Sequence, residues 1–274
     1  MRAGSVPWFA RHELRLAWRD FVQIVTAGRR RRAIVAAIGF AVFAVFMHVL
    51  AYFMVGPFAD AGADPAAVQR DVLLYVTVIG LLAWALLVSQ ALEAVTRAFY
   101  ARADLDLILT SPAPAARIFA VRLGAIALAM MVTGMLIAGA FINVLVVLGG
   151  ARWLAAYGAV AAGGAAATAI AVGLTVLLFR LIGPRRTRFV AQVLAAVIGA
   201  VFVIGLQGAA ILSYGTISRF AILQSEKLAA ILPGVDSPLW WPARAMMGDV
   251  GALAATGLAC LLLLAGAVAL FATR

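Results

Sequence analysis

The residues able to do chemistry in this 274-residue chain are few and scattered. There are two histidines, His12 and His48, a single cysteine, Cys260, and eleven Asp and Glu residues. Zinc hydrolysis needs paired histidines with a nearby glutamate, and no HExxH or other His/Cys/carboxylate set at ligand spacing occurs. Acyl transfer from a sharp strand–helix turn needs GxSxG, which is missing. Nucleotide hydrolysis by a phosphate-cradling loop needs GxxxxGK[ST]; the nearest run, "GPRRTRF" (183–189), is only a basic flank. One cysteine allows neither a disulfide framework nor a thiolate metal site. These absences predict a chain that is not an enzyme and binds no cofactor of its own.

The polar residues that remain sit inside long apolar runs: His48, Ser89, Gln90, Glu93, Asn143, Gln192 and Gln207. Ionisable groups inside a membrane are costly and ask for a functional explanation. Glu93 has a simpler one, because Arg97 lies one turn further on and an i,i+4 pair at a membrane edge satisfies both. Glu93, Arg97, Asn143 and Gln207 are retained as candidates for gating or a polar pathway; interhelical hydrogen bonding accounts for Asn143 and Gln207 equally well. Proton-coupled carriers use several buried carboxylates. Here there is one, at the edge, which disfavours secondary transport.

The elements that must hold these groups are membrane helices. The chain is 66% hydrophobic and 12% charged, with mean hydropathy +1.08, against about 45–50% and about 25% in soluble domains. A span needs roughly 20 mostly apolar residues, and six runs qualify: about 33–56, 71–96, 121–149, 154–182, 189–213 and 250–272. The expected fold is an all-α integral membrane protein, a six-helix domain over 33–274 preceded by a cytoplasmic segment over 1–32. The fourth run, with "GAVAAGGAAATAIAVG" (158–173), is expected inside the bundle, because small residues let helix backbones approach.

Charge gives the orientation. Segments 1–32, 97–122, 180–188 and residue 274 hold 17 of the 22 Lys and Arg residues. Positive loops stay inside, so both termini are expected in the cytoplasm. The net charge of +11 is therefore a membrane signal, and no stretch is long enough for a nucleic-acid-binding domain. "RRRR" (29–32) precedes a run too long for a cleaved signal peptide. Residues 6–25 are amphipathic, with Leu14, Trp18, Phe21 and Val25 on one side and Arg11, His12, Arg15 and Arg19 on another, as in a helix lying among headgroups. On the outer side, 214–249 is long, carries Trp240 and Trp241 between prolines, and is expected to dip back into the outer leaflet.

One cytoplasmic stretch is left, "FYARADLDLILTSPAPAARIF" (99–119). "RADLDLIL" can form a short helix, with Leu105, Ile108 and Leu109 on one side and Asp104 and Asp106 free for a partner. Ser111 and Pro112 suit the start of the next helix. This stretch resembles the loop after the second membrane helix in permease subunits of type-2 ABC exporters, with the pattern R-x-D-L-[DE]-L-L-L-[ST]-[ST]-P and a basic residue near helix three. Arg102, Asp104, Leu105, Asp106, Leu107, Leu109, Ser111, Pro112 and Arg117 match it; Ile108 departs conservatively and Thr110 fits. The likeness extends to the six spans, the amphipathic N-terminal segment and the long outer segment before the last span.

The resemblance implies a permease that pairs with a second copy or half and binds two cytosolic ABC ATPase subunits. ATP and Mg would sit on those partners, and 99–119 would act as the coupling helix. The implied setting is the bacterial inner membrane and the implied activity is export, with a hydrophobic or lipid-like substrate fitting the apolar spans. A half-size permease and a shortened two-half chain both fit. The alternative reading is a membrane anchor or assembly subunit that transports nothing.

Overall fold

Apolar runs of membrane length have one way to satisfy their backbone in lipid, which is to become helices. In the computed structural model they do. It describes residues 11, 15, 16, 18, 19, 22, 23, 26–60, 70–100, 115–214 and 232–272, and among these there is no strand. Six helices are long and apolar enough to cross a membrane: Arg30–Val55, Val72–Ala98, Ile118–Gly149, Ala151–Gly183, Arg186–Gly205 and Val250–Leu270. The chain is an all-α membrane protein.

The full elements are α1 (Arg30–Val55), α2 (Arg70–Tyr100), α3 (Ala115–Gly149), α4 (Ala155–Tyr214), the short α5 (Trp241–Met246) and α6 (Val250–Ala272). The fourth and fifth spans are two arms of α4, which breaks at Gly183 (φ 74°, ψ 166°). A side chain rarely adopts that φ, so glycine is needed there, and Pro184 restarts the helix in a position that suits its fixed φ. The run "GPRR" is thus a sharp reversal rather than a loop.

The first arm of α4 is the interior element. Half of its most apolar window is buried, against none for α1 and 22% or less for the others. Its small residues do what the sequence analysis expected of them. A Cβ on Gly164 would stand 2.7 Å from the Met131 backbone nitrogen of α3, so the two backbones touch. Helix α2 is held between both arms: Trp84 Nε1 donates to the Gly163 carbonyl at 3.0 Å and Ser89 Oγ to the Ala195 carbonyl at 2.7 Å. Leu92, Val95, Ala167, Ala171 and Val172 fill the core between them. Helix α1 is peripheral and packs chiefly on α3.

The expected docking residues Arg102, Asp104, Leu105, Asp106, Leu107, Leu109, Ser111 and Pro112 lie outside the described residues, as do 61–69 and 215–231 and most of the N-terminal segment. Within that segment, Arg15, Leu16, Trp18, Arg19, Val22 and Gln23 are helical and exposed. The chain then turns through Ala27 (φ 45°) and Gly28 (φ 70°) before α1 begins.

Candidate functional site

Three candidate groups have defined positions. At the arginine-rich end, Arg97 Nη1 meets Glu93 Oε1 at 3.1 Å, with side chains 72% and 54% exposed. This is the i,i+4 pair its spacing predicts. At such exposure it contributes little beyond local helix support. Just beyond it, Ala98 of α2 and Phe119, Arg122 and Leu123 of α3 line one small space. The two helices flanking 101–114 therefore meet side by side. Arg117 falls within α3, with its side chain outside the described residues.

Near the opposite end, a polar chain crosses three spans. His48 Nδ1 lies 2.7 Å from the Ala44 carbonyl in α1. A carbonyl only accepts, so Nδ1 donates in this contact. Asn143 Nδ2 of α3 lies 3.2 Å from His48 Nε2. Its Oδ1 in turn accepts from the Tyr157 hydroxyl of α4 at 2.7 Å. The contacts thus run from Tyr157 through Asn143 and His48 to the Ala44 carbonyl. Gln207 is exposed on the second arm of α4 and takes no part in this chain.

The sequence pointed to His48 and Asn143 separately and passed over Tyr157. Depth was the missing signal. His48 is seven residues from the end of α1 at Val55, Asn143 six from Gly149, and Tyr157 six from Ala151. At 1.5 Å per residue all three sit roughly 10 Å inside the same end.

That end is closed by a second polar assembly. The Ala59 carbonyl accepts from Arg152 Nη2 at 2.7 Å and from Trp153 Nε1 at 3.0 Å, and the Arg152 guanidinium lies over the Trp153 ring at 5.5 Å. Ser237 begins a single turn, Pro238–Trp240, that leads into α5. Trp240 is buried with its Nε1 on the Gly234 carbonyl at 3.0 Å, whereas Trp241 is 40% exposed. Helix α5 packs against α6, α4 and α2, and Met246 reaches Gly80, ten residues in from Arg70. The described part of the long segment therefore packs against the bundle, while "ISRFAILQSEKLAAI" (217–231) lies outside the described residues.

Asp249 caps the last span. Its Oδ1 accepts from the Ala252 amide at 2.9 Å, and its Oδ2 takes Arg244 Nη2 at 2.8 Å and Nε at 3.0 Å. The Ala252 amide, and after it the charge and hydrogen bond of Arg244, hold this carboxyl below its ordinary range against the opposing effect of burial. Among the described residues no three His, Cys, Asp or Glu side chains come together as a metal site. Comparison of the chain with protein-family models, with curated proteins and with solved structures found no match.

Proposed function

We propose that the chain is the membrane-spanning permease subunit of an ATP-driven exporter of the type-2 ABC class, working with a separate ATPase. The observation that carries this reading is the run from Arg102 to Arg117, an acidic–apolar helix-forming segment between the second and third spans. Two features support it. The flanking helices meet at Ala98 and Phe119, so a push on the segment between them would be delivered to both spans. The sequence carries no phosphate-binding loop, in keeping with a partner that supplies the ATPase.

In this reading the arginine-rich end faces the cytoplasm, in keeping with the positive-inside rule. ATP draws two partner subunits together, the 99–119 segments of two permease copies follow, and the α2–α4 core shifts at their interface. The polar assembly around Arg152, α5 and Asp249 forms the outer closure. The cargo that fits best is hydrophobic or lipid-like. In vesicles carrying the chain with its ATPase, Asp104→Lys or Leu105→Asp should abolish the coupling of ATP hydrolysis to transport. Unchanged coupling in both variants removes the assignment, and leaves a non-transporting anchor.

A further inference from the structure

Between Asp106 and Glu226 the sequence holds no Asp or Glu. Helices α3 and α4 therefore carry arginines with no carboxylate of their own to meet them. The carboxylates with defined partners are spent elsewhere, Glu93 on Arg97 and Asp249 on Arg244. One concentration of this unmet charge is held on a fixed turn, where the two arms of α4 join. Arg180 lies near the end of the first arm, Arg186 and Arg188 at the start of the second, and all three are exposed.

The turn reverses at Gly183, and the buried Thr187 donates from Oγ1 to the Gly183 carbonyl at 2.8 Å. Arg186 and Arg188 stand on either side of that residue. Arginine in the first turn has the wrong sign for a helix dipole, so an anion at this corner favours the second arm. Apolar side chains are exposed beside the arginines, Leu181 at 70% and Phe189 at 69%. One turn further along each arm, Leu177 and Val193 continue the same exposed faces. Both arms are long and apolar enough to cross a membrane, so their junction belongs at a membrane face.

We propose that the Gly183 corner is a binding surface for an anionic phospholipid. Its phosphate meets Arg180, Arg186 and Arg188, and its acyl chains lie against the rows Leu177–Leu181 and Phe189–Val193. Guanidinium groups take phosphate oxygens through paired N–H donors. The exposed apolar rows favour a lipid over a soluble anion, which would leave Leu181 and Phe189 in water. A zwitterionic lipid brings its own ammonium and gains less from the arginines. The site does not depend on the ATPase reading.

The test places the full chain in phosphatidylcholine nanodiscs and compares phosphatidylglycerol and phosphatidylcholine probes, each with a photoactivatable diazirine in one acyl chain. Labelling of residues 177–193 should favour the phosphatidylglycerol probe, and unlabelled phosphatidylglycerol should compete where soluble glycerol phosphate does not. Arg186→Gln together with Arg188→Gln should lower that preference about tenfold. Phe189→Glu gives the arginines an internal carboxylate and should lower it too; it decides the matter if the double variant fails to fold. Arg31→Gln with Arg32→Gln, at the start of α1, should leave the preference at the corner unchanged. Equal labelling by the two probes, or a preference indifferent to the corner variants, overturns the site. An equal loss in the α1 variant reduces it to a general attraction of the charged end and also overturns it. Full competition by glycerol phosphate or by soluble polyglutamate overturns the lipid as occupant, in favour of a free phosphate or an acidic protein surface.

Discussion

Asn143 is the residue on which the polar chain turns, because it alone bonds to both other side chains. Asn143→Ala leaves His48 Nε2 without its partner and the Tyr157 hydroxyl with only the Gly139 carbonyl at 3.4 Å, while Tyr157→Phe removes only the terminal donor. Hydrogen bonds between membrane helices are worth about 0.6 to 1.7 kcal/mol. Asn143→Ala should therefore cost about 1–2 kcal/mol in unfolding from detergent, Tyr157→Phe less, and the double variant no more than Asn143→Ala. Full additivity would mean that the two side chains do not act as one chain.

Asp249 offers a pH test just outside the last span. Its carboxyl is more acidic folded than unfolded, so the unfolded state binds the proton first as acid is added. Its contribution is complete above the ordinary value of 3.8 and is lost as pH falls through the folded value. Wild-type thermal stability should drop over that acid window, and Asp249→Asn should be less stable at neutral pH with a flatter acid limb. An unchanged acid limb in the variant would show that the Ala252 cap and Arg244 pair do not stabilise this end.

At the scale of elements, two glycines of α4 make opposite predictions. Gly164→Ala places a methyl against the Met131 backbone, which cannot move without shifting α3, and should destabilise by about 1–3 kcal/mol. Gly173 has nothing within 4 Å of the same added atom, so Gly173→Ala should be neutral or gain up to about 1 kcal/mol of helix propensity. Chemical unfolding of both variants in detergent measures the difference. The interior place of this helix was legible, because "GAVAAGGAAATAIAVG" leaves backbones free to touch. The spans were legible to within a few residues, since lipid forces any such apolar run into a helix. The turn at Gly183 was half legible: glycine and proline announce a break, while the residual length of the loop depends on how the two arms pack. The polar chain was not legible, because it depends on which helices stand side by side and how each is rotated. Hydrophobic periodicity is weak in helices that are apolar all round.

At the scale of the whole molecule, two ends of different character enclose one Ala-rich core. One end carries most of the arginines and the segment resembling a coupling helix; the other is closed by Arg152, Trp153, Trp240 and Asp249. In the proposed function the first of these ends docks an ATPase through 102–112. Its most direct measurement is site-directed cross-linking in the Cys260→Ala background, with one cysteine introduced at Leu105 and, in a second variant, one at Asp236 on the opposite end. Both are expressed with a candidate ABC-type ATPase subunit and captured by a thiol cross-linker in intact membranes. The expected result is a cross-linked product between the ATPase and Leu105→Cys, and none with Asp236→Cys. No product at Leu105, or an equal product at Asp236, would contradict the proposed function.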